Sequence, residues 1–285
     1  MIKKEINEIK RFNLHLHTNV SDGALSPHQL IKKAQEMALD LISITDHDTV
    51  DAYFMLPKST IPLKIIPGIE ISTQYEERDV HLLAFGIDIH NKDLLAMTEM
   101  YLHGRKERAI VILEKLAALG INIDIDDVIA VAGSRELIVR PHIAQILVKK
   151  GYCRTKNEAF DRYIGNEQPA YAPKPEVKVP EAIEIIHSAG GFAVVAHPGK
   201  LENLSVLFRL IELGIDGIEV WHPDHYRVQI DEFITIAQNS KLYMTGGSDF
   251  HGEQDSHNYF DAVPVHEVVT DSVNALYREY LCHRK

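Results

Sequence analysis

An α/β fold is what this chain predicts, and three features of the sequence point to it. Short apolar runs alternate with amphipathic stretches, polar and histidine residues gather at the ends of those runs, and one central segment abandons the alternation. Repeated strand–helix alternation implies parallel strands joined by right-handed crossovers, hence a barrel or a doubly wound sheet. Barrels collect their functional groups at the rim where the strands end. A (β/α) barrel of about seven strands with a helical insertion is therefore the expected architecture.

The first expected strand is Phe12–His17. A helix follows, with Ser26 as its cap, Pro27 at its first position, and Leu30, Ile31, Ala34, Met37 and Ala38 spaced for one buried face. Leu41–Thr45, Leu63–Pro67 and Val80–Phe85 read as the next strands. From about Leu94 to Lys174 the text turns helical, with Ala109–Leu119 stopping at Gly120 and Pro141–Lys149 stopping at Gly151. It ends in Ala170-Tyr-Ala-Pro-Lys-Pro, so 93–176 reads as an insertion over the rim, with 1–92 and 177–285 building the barrel. Helices starting at Pro180, near Glu202 and near Tyr226 precede the strands Phe192–Ala196, Gly217–Trp221 and Leu242–Thr245.

Composition narrows the function. The 285 residues carry 30 basic and 41 acidic side chains, a net charge of −11. That balance argues against coating nucleic acid non-specifically, which needs a broad basic surface, but leaves room for a phosphate substrate in one pocket. Cys153 and Cys282 are the two cysteines, far apart, so neither a disulfide framework nor a thiolate zinc site is expected. The charged start, Met1 to Arg11, is no secretory signal, and no apolar run reaches the roughly 18 residues of a spanning helix. A soluble cytoplasmic protein without membrane contact or an obligate protein partner is expected. Sixteen histidines stand out.

Several of those histidines sit with carboxylates beside expected strand ends. His15 and His17 are spaced i, i+2, so in a strand they share one face, and Asp22 returns towards them after a turn. Asp46, His47 and Asp48 follow Leu41–Ile44, Glu70 follows Leu63–Ile66, and His81 opens Leu82–Phe85. His197 follows Phe192–Val195, while Ser248, Asp249 and His251 follow Leu242–Thr245. Each alone is a weak signal. Together they suit divalent zinc, manganese or iron, since imidazole and carboxylate occur without cysteine and would otherwise be costly to bury.

On these residues the sequence resembles the PHP (polymerase and histidinol phosphatase) family. The matching motifs are His15-Leu-His17-Thr, Ser21-Asp22-Gly23, Ile44-Thr-Asp46-His47-Asp48-Thr49, Gly68-Ile-Glu70, His81-Leu-Leu-Ala-Phe-Gly86, Ala196-His197-Pro198-Gly199 and Gly247-Ser248-Asp249-Phe250-His251-Gly252. They keep the family's order across 12–90 and 177–265, and the strongest likeness is to bacterial nucleoside 3′,5′-bisphosphate phosphatases and 5′→3′ exoribonucleases. The resemblance implies a distorted seven-stranded barrel holding two or three divalent ions. His15, His17, Glu70 and Asp249 would hold the first, Asp22, His47 and His251 the second, and Glu70, His81 and His197 a third. Asp22 stands where some PHP phosphatases have histidine, which favours the bisphosphatase-like subgroup, and Asn13 replaces a frequent aspartate. In Arg140-Pro141-His142 the resemblance implies an arginine that meets a second phosphate, with Arg135 nearby.

The chemistry of such a site agrees. Paired ions about 3.5–4 Å apart activate a water and clamp the oxygens of an in-line phosphoryl displacement, so hydroxide attack needs no protein nucleophile. No serine-elbow motif is present. His222, at the end of Gly217-Ile-Glu219-Val-Trp-His222, is placed either to protonate the leaving oxygen or contact phosphate, or as a hydrogen-bonded rim residue. Asp46 either orients an imidazole or caps a turn. His28, His90, His103, His187, His257, His266 and His283 fit no motif and read as structural or surface residues, as Trp221 and Phe85 read as core. Tyr152, Tyr163 and Tyr171 read as helix packing, with base stacking as the alternative. The expected function is metal-dependent hydrolysis of nucleoside bisphosphates or short 5′-phosphorylated RNA. The alternatives are a histidinol-phosphate or other small-molecule phosphatase, and a non-catalytic metal-binding module.

Overall fold

The computed structural model describes residues 8–57, 63–132, 138–173, 176–253, 258–264 and 266–284. Nine short strands form two sheets among these residues. β1 (Phe12–Asn13), β2 (Leu41–Ile42) and β3 (Lys64–Ile65) pair in parallel in that order. The second sheet runs β6-β4-β5-β7-β8-β9, from β4 (Gly68–Tyr75), β5 (Arg78–Phe85), β6 (Val177–Lys178), β7 (Phe192–Val195), β8 (Gly217–Trp221) and β9 (Tyr243–Gly246). Ten α-helices surround them: α1 (Pro27–Glu36), α2 (Asp51–Phe54), α3 (Lys92–Ala118), α4 (Ile125–Ala132), α5 (Arg140–Lys149), α6 (Lys156–Ala159), α7 (Val179–Ser188), α8 (Leu204–Glu212), α9 (Arg227–Ser240) and α10 (Glu267–His283). No described helix is long and apolar enough to cross a membrane.

The α/β class and the helices at Pro27, Pro180, Glu202 and Tyr226 match expectation to within two residues. Ser26 caps α1 through its hydroxyl, as the Ser-Pro pair suggested. Two features differ. The sheets do not close into one continuous barrel: single bridges, Leu16 with Phe250 and His47 with Glu70, link their edges. Nor are all strands parallel, because β4 and β5 form an antiparallel hairpin and β5 pairs antiparallel with β7. Gly68 to Glu70 were expected as the polar end of Leu63–Pro67; instead β3 stops at Ile65 and Gly68 opens an eight-residue strand. The hairpin turn is Glu76-Glu77, both at positive φ (51° and 41°), a conformation usually signalled by asparagine or glycine. Two glutamates there hide the turn, and the long strand with it.

The main core lies between the second sheet and α7 to α10, around Leu82, Val194, Ile218, Leu210, Phe233 and Leu276. Residues of α3, α4 and α5 build a separate cluster around Ile112, Leu116, Val128, Ile143 and Leu147. α3 is far longer than the expected Ala109–Leu119, because Asn91 caps it early by accepting from the Asp93 and Leu94 amides. Its first turns, with Leu94, Met97 and Tyr101, belong to the main core, and its last, with Ile112 and Leu116, to the second cluster. This one rigid rod carries the chain from the sheets to the helical segment.

Candidate metal centre

The edges of the two sheets meet at Glu70. Its backbone is clasped by the loop after β2: the Glu70 amide donates to the Asp46 carbonyl (3.2 Å) and the Asp48 amide to the Glu70 carbonyl (2.9 Å). On the other side, the Asp249 amide donates to the His15 carbonyl (2.9 Å), and the His17 amide to the Phe250 carbonyl (3.1 Å). Chain segments far apart in sequence are thus stitched so that their imidazoles and carboxylates share one buried space. Gly247 permits the approach, since a Cβ there would stand 2.1 Å from the His15 Cβ.

Glu70 is the hub. Its Oε2 lies 3.2 Å from His15 Nε2, His17 Nε2 and His47 Nδ1, and its Oε1 lies 2.8 Å from His81 Nδ1 and 3.0 Å from His197 Nε2. Asp249 Oδ1 faces His15 Nε2 at 3.2 Å and His17 Nε2 at 3.0 Å. Asp22 sits 3.3 Å from His251 Nε2 and 4.0 Å from His47 Nε2. Ligand-type atoms fall into three overlapping groups: His15, His17, Glu70 and Asp249; His17, Asp22, His47 and His251; and His47, Glu70 and His81. These groups contain eight of the nine residues expected at the metals, and the ninth, His197, stands outside them but against Glu70. The grouping differs in detail, with His17 shared by two groups and His47 reaching Glu70.

These residues fit a divalent cation on electrostatic grounds. His15 gives its Nδ1 proton to Glu219 Oε1 (2.9 Å), which leaves Nε2 as a lone pair facing two carboxylates. His251 likewise donates Nδ1 to the Asp249 carbonyl (2.7 Å), turning Nε2 towards Asp22. Acceptor against acceptor is repulsive unless a proton or a metal ion lies between them. Both ring nitrogens of His17 and Nδ1 of His47 are buried without a hydrogen bond. Burial alone would raise the carboxyls of Glu70, Asp249 and Asp22, yet the surrounding imidazoles hold all three well below the usual carboxylate range. Burial also pulls His47 down to about 4, against Glu70 and Asp22. With no cation present, the carboxylates instead hold His15, His17 and His251 towards their protonated forms, His251 up to about 10. Carboxylates and imidazoles crowded in this way are a donor set for a hard or borderline cation that takes the place of those protons.

The remaining expected residues fall in varied places. Asp46 caps a turn: its oxygens accept from the Thr18 amide (2.7 Å), the Thr18 hydroxyl (2.6 Å) and the Ser21 hydroxyl (2.7 Å), fixing the loop between His17 and Asp22. His222 is buried behind Asp249. Its Nδ1 accepts from the Asp224 amide (3.1 Å) and its Nε2 faces Asp249 Oδ2 at 3.3 Å, so it steadies a carboxylate and does not line the cavity over the cluster. Asn13 ties β1 to Ser248, donating to its hydroxyl (2.8 Å) and accepting from its amide (3.0 Å). His142 turns its Nδ1 back to the Val139 amide (3.3 Å) and borders a cavity shared with Asp22 and His251. Arg140 lines a neighbouring cavity. Arg135 and His257 lie outside the described residues. His28, His90, His103, His187, His266 and His283 are exposed, and Phe85 is buried.

Three further residues belong to the site and were not singled out from the sequence. Glu219, fully buried in β8, accepts from His15 Nδ1 and from the His197 amide (2.7 Å), so one carboxylate sets two imidazole-bearing segments. It holds His197 in a left-handed conformation (φ 30°) that a non-glycine residue rarely adopts. Lys200 and Lys156 line the cavity of about 350 Å³ over the cluster, Lys200 with Nζ 3.0 Å from Asp224 and 3.7 Å from Asp249. Lys156 and Pro141 bring the helical segment to this mouth. Imidazole, carboxylate and ammonium groups thus wall this cavity.

Comparison with known proteins accords with this geometry. A model of the PHP domain matches residues 13–163. The 5′-3′ exoribonuclease Rnm of Escherichia coli is 32% identical over 255 residues, covering 84% of this chain and 85% of that protein. The 3′,5′-nucleoside bisphosphate phosphatase of Chromobacterium violaceum is 33% identical over 248 residues, covering 84% and 86%. A crystal structure from Bifidobacterium adolescentis, provisionally assigned as a metal-dependent phosphoesterase, superposes with a TM-score of 0.81 at 33% identity, covering 95% of this chain and 96% of that one. Motifs, architecture and relatives agree that this chain belongs to the PHP domain family.

Proposed function

We propose that this protein is a metal-dependent phosphoesterase that releases phosphate from nucleoside 3′,5′-bisphosphates or cleaves short 5′-phosphorylated RNA. One observation carries the reading: five imidazole nitrogens stand within 3.2 Å of the two oxygens of Glu70. Its curated relatives bear the names of an exoribonuclease and a nucleoside bisphosphate phosphatase, which favours a nucleotide substrate. His15, His17, Asp22, His47, Glu70, His81, His197, Asp249 and His251 would hold two or three divalent ions, manganese, zinc or iron. Bound there, such ions supply the Lewis acidity that activates water and offsets charge on the reacting phosphate.

The chain's own groups do the rest. Glu219 fixes the tautomer of His15, and His222 steadies Asp249. Lys200 and Lys156 draw the phosphate into the mouth and screen its charge. The helical segment 93–176 limits substrate size, since Pro141 and Lys156 stand over the cluster.

Metal analysis of the purified protein, combined with phosphate release from 3′-phosphoadenosine 5′-phosphate and cleavage of short 5′-phosphorylated RNA, tests this. Turnover on at least one, abolished by a chelator and restored by manganese, is expected. Absence of metal-dependent turnover on both overturns the reading.

A further inference from the structure

On its Asp22 and His251 side, the cavity over the metal cluster adjoins a larger one of about 700 Å³, and Pro141 and Lys156 border both. The floor of the larger cavity is two loops pressed together. The Ala24 amide donates to the His251 carbonyl (2.6 Å), and a Cβ on Gly252 would stand 2.8 Å from that of Ala24. The wall is helical. On α5, Gln145 follows Pro141 by four residues and His142 by three, so these side chains share the face that borders the cavity. Ile143, Ile146 and Leu147 of the same helix pack into the helical cluster instead. Val131, near the end of α4, and Leu25 add apolar surface.

Two polar groups of this wall are left for a ligand. His142 is only 7% exposed. Its Nδ1 accepts from the Val139 amide (3.3 Å), so its proton is on Nε2, which meets no acceptor among the described residues. An imidazole N–H in so buried a ring is costly to leave unmatched, and the cavity is where an acceptor can reach it. Lys156 pairs with no carboxylate among the described residues. Glu253, at the edge of the cavity, is already taken by Lys33 Nζ (2.7 Å).

We propose that the larger cavity houses a second nucleoside, joined to the first through the phosphate at the metal cluster, and so lets the enzyme act on phosphodiesters between nucleotides. The proposal rests on the phosphoesterase reading for that phosphate and adds where the far side of the substrate lies. A terminal phosphate carries one nucleoside and asks for no such space. A phosphodiester carries another on the other side of the same phosphorus, which needs a chamber beside the cluster. Leu25, Val131 and Pro141 offer apolar surface to the face of a base, while the His142 Nε2–H and the Gln145 amide serve its polar edge or the ribose hydroxyls. Lys156, bordering both cavities, meets the linking phosphate.

Steady-state kinetics of the metal-loaded enzyme and of Q145W on two probes test the idea: the 5′-phosphorylated dinucleotide pApA, with two nucleosides, and 3′-phosphoadenosine 5′-phosphate, with one. Gln145 is exposed on α5, so an indole there fills the cavity without entering the core. It should lower kcat/KM for pApA by roughly 10- to 100-fold, at least about tenfold more than for the bisphosphate. Q145A, which removes only the amide, should fall between wild type and Q145W on pApA, and carries the comparison if Q145W does not fold. Equal losses on both probes, no loss on pApA, or wild-type turnover of the bisphosphate alone overturn the proposal. Should wild type hydrolyse neither probe, the phosphoesterase reading fails by itself. In that case, or if pApA alone is cleaved, calorimetry with a methylphosphonate-linked pApA analogue and with AMP decides. Weaker binding of the analogue by Q145W, with AMP binding kept, supports the chamber; equal changes for both ligands, or no binding of the analogue by wild type, overturn it.

Discussion

Glu219 shows how much one buried carboxylate can set. It receives the Nδ1 proton of His15 and the backbone N–H of His197, so two candidate ligands on different strands depend on it. Replacing Glu219 with Gln should keep the fold while costing roughly 10- to 100-fold in metal affinity or activity, the usual consequence of removing such a partner. Manganese titration and kcat/KM would check it, and unchanged affinity would reduce Glu219 to a packing residue. The nine expected ligand residues were legible because imidazoles and carboxylates recur beside apolar runs. Glu219 was not, although Gly217-Ile-Glu219-Val-Trp221 held a signal: a charge inside a strand buried on both faces must have a partner. His222 was legible as part of the site, but its direction, towards Asp249, was not.

The elements owe their placement to contacts that local patterns do not encode. α3 is pinned to the site by Arg105, whose guanidinium pairs with Asp48 and donates to the Ser72 hydroxyl (3.0 Å). Asp48 in turn accepts from the Ser72 amide (2.6 Å), so the loop bearing His47, strand β4 and the helical segment share one buried ion pair. Replacing Arg105 with Met leaves Asp48 buried without its cation and should destabilise the protein by about 3–5 kcal/mol, as measured by urea unfolding. A loss under about 1 kcal/mol would mean that water readily replaces the guanidinium. Helix α1 could be read from Ser26 and Pro27, since capping is local. The β4–β5 hairpin could not, because its turn residues, Glu76 and Glu77, take positive φ only under the tension of eight paired residues on each side.

For the molecule as a whole, the metal cluster sits where two sheets meet without a continuous ladder. Glu70 belongs to one sheet, His15 and His17 extend from the other, and Asp249 closes the far side. Ions bound here would act as a clasp between sheets whose edges are linked by isolated bridges. Ligands that bind only the folded state stabilise it by mass action, so chelation should lower the thermal midpoint by roughly 5–15 °C. Scanning calorimetry with chelator, then with manganese restored, would measure this. A midpoint that ignores the chelator would show that the cluster holds no exchangeable ion.

The chain alone settled the α/β class, the helix starts marked by proline and serine, and the residue types of a cysteine-free metal centre. Those depend on periodicity, capping and donor chemistry, all of which act within a few residues. How the sheets join, which nitrogen of each imidazole faces inward, and that Lys156 and Lys200 line the approach came only with the fold. Each is fixed by groups as far apart in sequence as His15 and Glu219, and no local pattern records a contact across that separation.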